Sequence, residues 1–368
     1  MAHEKIDLTK KEPVTVEPEE GEAQVWVQAQ PPWEDFASVN VDEDAKRKEA
    51  TPEQAKEMDK RMAELGVAFA GSKLNWHLDG ALNISLLAGK YIGYHKDVDV
   101  SVEQGELAQL EAQLFDHGYG LFLSSTNEET GERQLRRVGF KVFQDSEKEH
   151  MLIAAIDERR KLREDKALNF VDVHVLARNE AGLALGCLDV VIPEKWTKPY
   201  PVEFNGQQIN LSHPGKVLYY KLHQDRNYDV TDVERLIKTG NLMVEDVDDV
   251  GEVYEKEFKA NLARARKRFA PISAEIKSGT TAEQIAQLFF NDEEFSRAGE
   301  ATRPAFVELG KQLIASGDTS VENMIKIAVG IFKAEEQNDQ IREKIAKIRK
   351  DVEVQAELKN VREQMSKS

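Results

Sequence analysis

The sequence predicts an α/β (α+β) protein: a small mixed sheet with flanking helices over residues 51–240, then a helical region over 241–368. Three observations carry this. Two segments, around Val98–Val102 and Asn169–Leu176, alternate apolar and polar residues with the period of two that belongs to strands. Helical periodicity and cap signals lie before and between them. From about residue 252 onward the pattern is almost wholly helical.

In chain order, residues 1–50 come first, with four prolines and 13 Asp/Glu against 6 Lys/Arg. Such a composition buries little apolar surface, so a mostly disordered acidic leader is expected. Val25-Trp26-Val27, Trp33 and Phe36 interrupt it, either as a tail that packs back on its own domain or as a docking motif for a protein partner. Thr51-Pro52-Glu53-Gln54 then combines an N-cap, an early proline and a capping-box side chain, and Met58, Met62 and Leu65 follow at helical spacing. Trp76-His77-Leu78 reads as a strand, Asp79-Gly80 as a turn, and Ala81–Gly89 as the next helix. After the strand at Val98–Val102 come a helix over Glu103–Phe115 and strands near Leu121–Ser124 and Gln134–Phe143.

Met151–Lys166 reads as a charged helical insertion. Glu180-Ala181-Gly182 makes a hairpin-like turn into a strand over Leu185–Ile192. Pro214–His223 and Asp229–Ile237 are helical, and Ala270-Pro271 is expected to break the long helix beyond them. The C-terminal helix holds a heptad phase only briefly (Ile341, Ile345, Ile348, Val352), too short to establish a coiled coil, yet it offers a second surface for a protein partner.

Net charge is −17 over 368 residues, which argues against general nucleic-acid binding outside a local basic stripe. The single cysteine, Cys187, excludes an intrachain disulfide, and no apolar stretch is long enough for a membrane span, so a cytoplasmic location is expected. One cysteine also excludes a thiolate zinc site, and no His-Glu-x-x-His spacing, Walker loop or dinucleotide fingerprint occurs.

The chemistry concentrates in residues 76–102, WHLDGALNISLLAGKYIGYHKDVDVSV. Residues i and i+2 of a strand share a face, so Asp97 and Asp99 point together while Val98 and Val100 point into the core. Two parallel carboxylates repel unless a hard cation lies between them, and Mg²⁺ takes one or two carboxylates together with phosphate oxygens and water. The Asp79-Gly80-Ala81 turn opens a helix, where free backbone N–H groups suit a phosphate.

In this order and spacing the segment resembles the nucleotidyltransferase superfamily of the DNA polymerase β type. It looks closest to the branch holding aminoglycoside nucleotidyltransferases and abortive-infection nucleotidyltransferase toxins. That pattern is a Gly-Gly or Gly-Ser turn opening a helix, followed by His-x-Asp-hydrophobic-Asp, which here is Gly80-Ala81, then His95, Asp97 and Asp99. The resemblance implies a third carboxylate on a later strand, matched by Asp172 in FVDVHVL, with Asp189 in CLDVVI as a rival. It also implies a lysine and an Arg-x-x-Asp-x-x-Asp helix near the nucleotide, matched by Lys221, Arg226, Asp229 and Asp232. It covers roughly residues 52–240.

The implied activity is transfer of a nucleoside monophosphate from an NTP to a hydroxyl, releasing pyrophosphate. Asp97, Asp99 and Asp172 would hold the metal, two Mg²⁺ ions by resemblance, and Asp172 would act on the acceptor hydroxyl. Gly80, Ala81, His95 and Lys221 would contact the nucleotide. The acceptor is open between a small molecule, a protein and RNA, with acidity favouring a cationic small molecule or a protein. Ala81 stands where the family has Gly or Ser, and Gly93-Tyr94 where a basic residue often precedes the histidine. These departures leave a second reading, a degenerate fold that serves as a protein-binding module.

Overall fold

In the computed structural model, the described residues are 24–26, 49–93, 95, 98–126, 133–137, 150–158, 163, 168, 171–224, 227–292, 295 and 299–367. They divide into two compact units, residues 1–184 with 193–242, and residues 185–192 with 243–368.

The first unit is built on a nine-stranded mixed sheet. Its strands are β1 (Gln24–Trp26), β2 (Trp76–Asp79), β3 (Asp99–Glu103), β4 (Tyr119–Thr126), β5 (Arg133–Arg137), β6 (His150–Ala155), β7 (Val171–Leu176), β8 (Tyr200–Phe204) and β9 (Gln207–Leu211). The spatial order is β1-β5-β4-β6-β7-β3-β2-β9-β8. The pairs β3–β7 and β2–β9 are parallel and the others antiparallel. Five helices accompany the sheet: α1 (Pro52–Ala68), α2 (Gly80–Leu87), α3 (Leu107–Asp116), α4 (Pro214–Gln224) and α5 (Asn227–Lys238).

Local sequence explains much of this. Thr51 caps α1 as expected, its hydroxyl accepting from the Gln54 N–H while Gln54 Oε1 accepts from the Thr51 N–H. Leu78, Val100, Val102, Val171 and Val173 put one sheet face into a core with Leu110 and Leu114 of α3 and Met58 and Leu65 of α1. Strands β8 and β9 meet at Asn205-Gly206, both at positive φ (49° and 76°), the backbone that a tight hairpin requires. Strand β8 closes one edge of the sheet, with Pro201 and Glu203 exposed along it.

The second unit is helical: α6 (Val244–Glu275), α7 (Ala282–Phe290), α8 (Arg303–Ser316), α9 (Val321–Ile331) and α10 (Ala334–Lys367). Its core joins Phe269 and Ile272 of α6 to Ile285 and Phe289 of α7, Phe306, Leu309 and Leu313 of α8, and Met324 of α9. Gly310 lets α8 approach α7, since a Cβ there would lie 2.8 Å from the Ala282 carbonyl oxygen. Helix α10 lies along α6 through Arg342–Glu255 and Arg349–Asp248 ion pairs. Among the described residues no helix is long and apolar enough to cross a membrane.

Several sequence expectations are corrected. The helix expected from Met151 is strand β6, because Met151, Leu152 and Ile153 pair with β7 and are buried. The strand expected over Leu185–Ile192 is instead a short 3₁₀ turn, with Leu188 and Asp189 at positive φ (57° and 55°), so no ladder can run through it. The break expected at Ala270-Pro271 does not occur, because α6 continues to Glu275. Proline forfeits one helical hydrogen bond there, but burial of Phe269 and Ile272 on either side holds the last turn in place. The end of the Gln134–Phe143 strand and most of residues 1–50 lie outside the described residues.

Candidate functional site

The strand register places three carboxylates in one row. Asp79 on β2 lies opposite Asp99 on β3, and Asp99 lies opposite Asp172 on β7. Paired residues of neighbouring strands share a face and sit about 5 Å apart. The next row on that face is His77, Ser101 and His174. The alternate positions Leu78, Val100 and Val173 are buried in the core, so one sheet face is apolar and the other carries the chemistry.

Gly80 follows Asp79 at φ +69° and opens α2. A Cβ on Gly80 would fall 1.9 Å from Asp99 Oδ2. Only a bare backbone fits against that carboxylate, and the free N–H groups of the first turn of α2 lie beside it.

Asp79 is the most heavily engaged of the three. Its carboxylate accepts from Ser101 Oγ (2.8 Å), Ser212 Oγ (3.0 Å), Lys216 Nζ (2.9 Å) and His174 Nδ1 (3.3 Å). Lys216, on α4, is itself buried and spends its other hydrogens on Ser101 Oγ (2.5 Å) and His77 Nε2 (3.2 Å). Burial alone would raise the Asp79 pKa, but the Lys216 ammonium and then the His174 hydrogen bond hold it well below the usual carboxylate range. Burial first, and then Lys216, lower the pKa of His77 to about 3. A neutral His77 that accepts at Nε2 carries its proton on Nδ1, which has no hydrogen-bond partner among the described residues.

His174 is 54% exposed, with Nδ1 on Asp79 and Nε2 3.9 Å from Asp99 Oδ1. Desolvation lowers its pKa, but the Asp79 hydrogen bond and the charges of Asp79 and Asp99 outweigh this and raise it. Asp99 is 22% exposed and Asp172 is half-buried. Asp79 is paired with Lys216, and Asp99 and Asp172 are the other two carboxylates of the row. Two carboxylates on adjacent strands beside a bare glycine turn are a donor set that suits a hard divalent cation carrying phosphate oxygens, so these residues fit Mg²⁺.

The other sequence candidates fall as follows. Asp97 and Arg226 lie outside the described residues. Ala81 is the second residue of α2. His95 sits in the loop before β3, its Nε2 3.0 Å from both Ser85 Oγ and the Ile92 carbonyl, while the guanidinium of buried Arg61 donates to the His95 carbonyl (2.5 Å). Lys221 is buried, with Asp229 at 3.0 Å and Asp232 at 2.8 Å, so its ammonium ties α4 to α5. Asp189, the rival to Asp172, lies in the 3₁₀ turn and not on a strand, 82% exposed and paired with Arg264 at 3.1 Å.

Sequence reasoning passed over Asp79, Ser101, Ser212 and Lys216. The only signal was polarity inside otherwise apolar segments, an aspartate ending a buried strand and a lysine among Val217, Leu218 and Tyr219.

A glycine turn from strand to helix beside carboxylates aligned across adjacent strands of a mixed sheet is the arrangement that the resemblance to the nucleotidyltransferase superfamily implies. The family model described as aminoglycoside-2''-adenylyltransferase matches residues 62–236, a little under half of the chain. No curated protein matches the sequence. Among solved structures, the lincomycin-bound lincosamide antibiotic adenylyltransferase LnuA is similar at 16% identity and TM-score 0.32, covering 51% of this chain and 97% of its own. The antibiotic-resistance factor ANT(2'')-Ia in solution is similar at 11% identity and TM-score 0.33, covering 56% of this chain and 94% of its own. An antigenic nucleotidyltransferase-like protein from Paracoccidioides brasiliensis shows 12% identity and TM-score 0.27, covering 51% and 77% respectively.

Proposed function

We propose that the first unit moves a nucleoside monophosphate from an NTP to a hydroxyl of a small-molecule acceptor. The observation that carries this reading is the register Asp99↔Asp172 on parallel strands beside Gly80. In the reaction the acceptor oxygen forms a bond to the α-phosphorus. The bond from that phosphorus to its bridging oxygen breaks, and pyrophosphate leaves with the electron pair. Divalent cations, when bound, neutralise the triphosphate and the leaving group.

The chain's own residues supply placement and proton transfer. Asp99, with Asp97 of the same motif, holds the cation-bound triphosphate, and the first turn of α2 after Gly80 presents N–H groups to a phosphate. Asp172, one strand further, takes the proton of the attacking hydroxyl. His95 is held by Ser85 and the Ile92 carbonyl, and the Lys221 pair with Asp229 and Asp232 keeps α4 and α5 in place. The family description and the net charge of −17 favour a cationic polyhydroxylated acceptor such as an aminoglycoside.

The test is incubation with each of four α-labelled NTPs, Mg²⁺ and a panel of aminocyclitols beside a small-molecule extract. A labelled acceptor with stoichiometric pyrophosphate supports the reading. Label that appears only on protein or RNA moves the acceptor class. Absence of transfer, with NTP binding unaltered by Asp99→Asn, overturns it.

A further inference from the structure

His174 has no part in the chemistry above, yet its ring is held at both ends of the site. Nδ1 lies 3.3 Å from Asp79 Oδ2, and Nε2 faces Asp99 Oδ1 at 3.9 Å from the half-exposed side of the ring. Asp79 is not available as a ligand, since its oxygens already receive Ser101, Ser212, Lys216 and His174, and it is buried. What Asp79 does instead is fix His174. In the neutral ring, a carboxylate that accepts Nδ1–H leaves the Nε2 lone pair outward, toward a second carboxylate, where a bound cation takes the place of the Nε2 proton. Metal-binding histidines are backed in this way, with the non-ligating nitrogen donating to a carboxylate behind the ring.

The spacing agrees. Two ligand atoms each about 2.1 Å from one cation stand roughly 3.0–3.4 Å apart at ordinary coordination angles. A side-chain movement of about half an ångström closes the 3.9 Å gap between Nε2 and Oδ1. Lys216 does not oppose a cation here with a net charge, because Asp79 neutralises it at 2.9 Å.

We infer that Asp99 and His174 form a mixed oxygen and nitrogen cation site, backed by Asp79, that prefers an imidazole-accepting divalent ion such as Mn²⁺ over Mg²⁺. All-oxygen sites suit Mg²⁺, whereas one imidazole ligand shifts the preference toward transition ions. This inference rests on Asp99 serving as a metal ligand, as in the proposed function. It adds a ligand from the second row of the sheet face and a consequence for ion choice.

The test uses the full-length protein with Mn²⁺ alone, read by electron paramagnetic resonance for affinity and by electron spin echo modulation for nitrogen ligation. The parent protein is expected to show imidazole ¹⁴N modulation and to bind Mn²⁺ at least tenfold more tightly than Mg²⁺. His174→Gln should abolish the modulation and weaken Mn²⁺ by about tenfold, with Mg²⁺ binding changed less than twofold. Because the His174 side chain is half exposed, this variant is expected to fold, which its melting curve checks. Asp79→Asn should weaken Mn²⁺ by about 10–100-fold, the usual effect of removing the group behind a ligating histidine. Mn²⁺ bound without nitrogen modulation, or modulation that survives His174→Gln, overturns the inference and leaves the carboxylate site standing. Mn²⁺ binding that is absent, or unaffected by Asp99→Asn, overturns both.

Discussion

At the scale of single residues, Gly80 and Lys216 set the tightest constraints. Gly80→Ala places a methyl 1.9 Å from Asp99 Oδ2 at a φ of +69°, so Asp99 has to move. NTP·Mg²⁺ binding should weaken by more than tenfold in calorimetry, and unchanged affinity would show that Asp99 does not hold the nucleotide. Lys216→Met leaves Asp79 buried and uncompensated, which costs about 3–5 kcal/mol in denaturant unfolding. Adding Asp79→Asn should restore much of that loss, since the stranded charge is gone. His77 governs a different variable. Its pKa is about 3 in the folded chain against about 6.5 unfolded, so below pH 6.5 the unfolded chain takes up a proton that the folded one refuses. Stability should therefore fall from pH 6.5 toward 3, by at most about 1.4 kcal/mol per pH unit. Asp79, whose folded pKa is depressed, joins this loss only below its unfolded value near 4. The raised pKa of His174 acts on the other side: its contribution is complete below its unfolded value and is lost as pH rises. A His77→Gln protein should show a flatter stability curve between pH 6.5 and 4, and an unaltered slope would assign the acid sensitivity elsewhere.

At the scale of elements, the α4–α5 pair tests what Lys221 does. With Asp229 and Asp232 at 3.0 and 2.8 Å, Lys221→Met should destabilise the chain by about 3–5 kcal/mol. NTP affinity measured well below the melting temperature should change less than twofold, and a tenfold loss would return Lys221 to the nucleotide. The same pair of helices shows what a sequence conceals. Helices α1, α4 and α5 and strands β3 and β7 were legible because caps and apolar periods are local signals. So was the Asp99 and Asp172 alignment, through FVDVHVL. The Asp79–Lys216 pair was not, because a charge inside an apolar frame looks misplaced until the partner 137 positions away is folded against it. Strand β6 was hidden by the charged residues that follow it, which lent HMLIAAI a helical aspect. The β8–β9 hairpin passed unread although Asn205-Gly206 announced it, and α6 ran through Pro271 because burial of its last turn outweighed a lost hydrogen bond.

At the scale of the whole molecule, the division into two units makes its own prediction. The core of the second unit is drawn from α6–α9, so residues 243–368 expressed alone should give a helical circular dichroism spectrum and a single cooperative melt. A fragment without a transition would mean that residues 185–192 are needed to complete it. The sheet of the first unit has a boundary of another kind. Strand β8 ends it with Pro201 and Glu203 outward, one residue unable to donate to a neighbouring chain and one carrying charge. A sheet nine strands wide could otherwise recruit the next molecule's backbone as its tenth. Colloidal behaviour at high concentration thus depends on one imino acid and one charge at the edge of the sheet. Solutions of a Pro201→Val, Glu203→Val protein should scatter light and bind thioflavin where the parent stays clear.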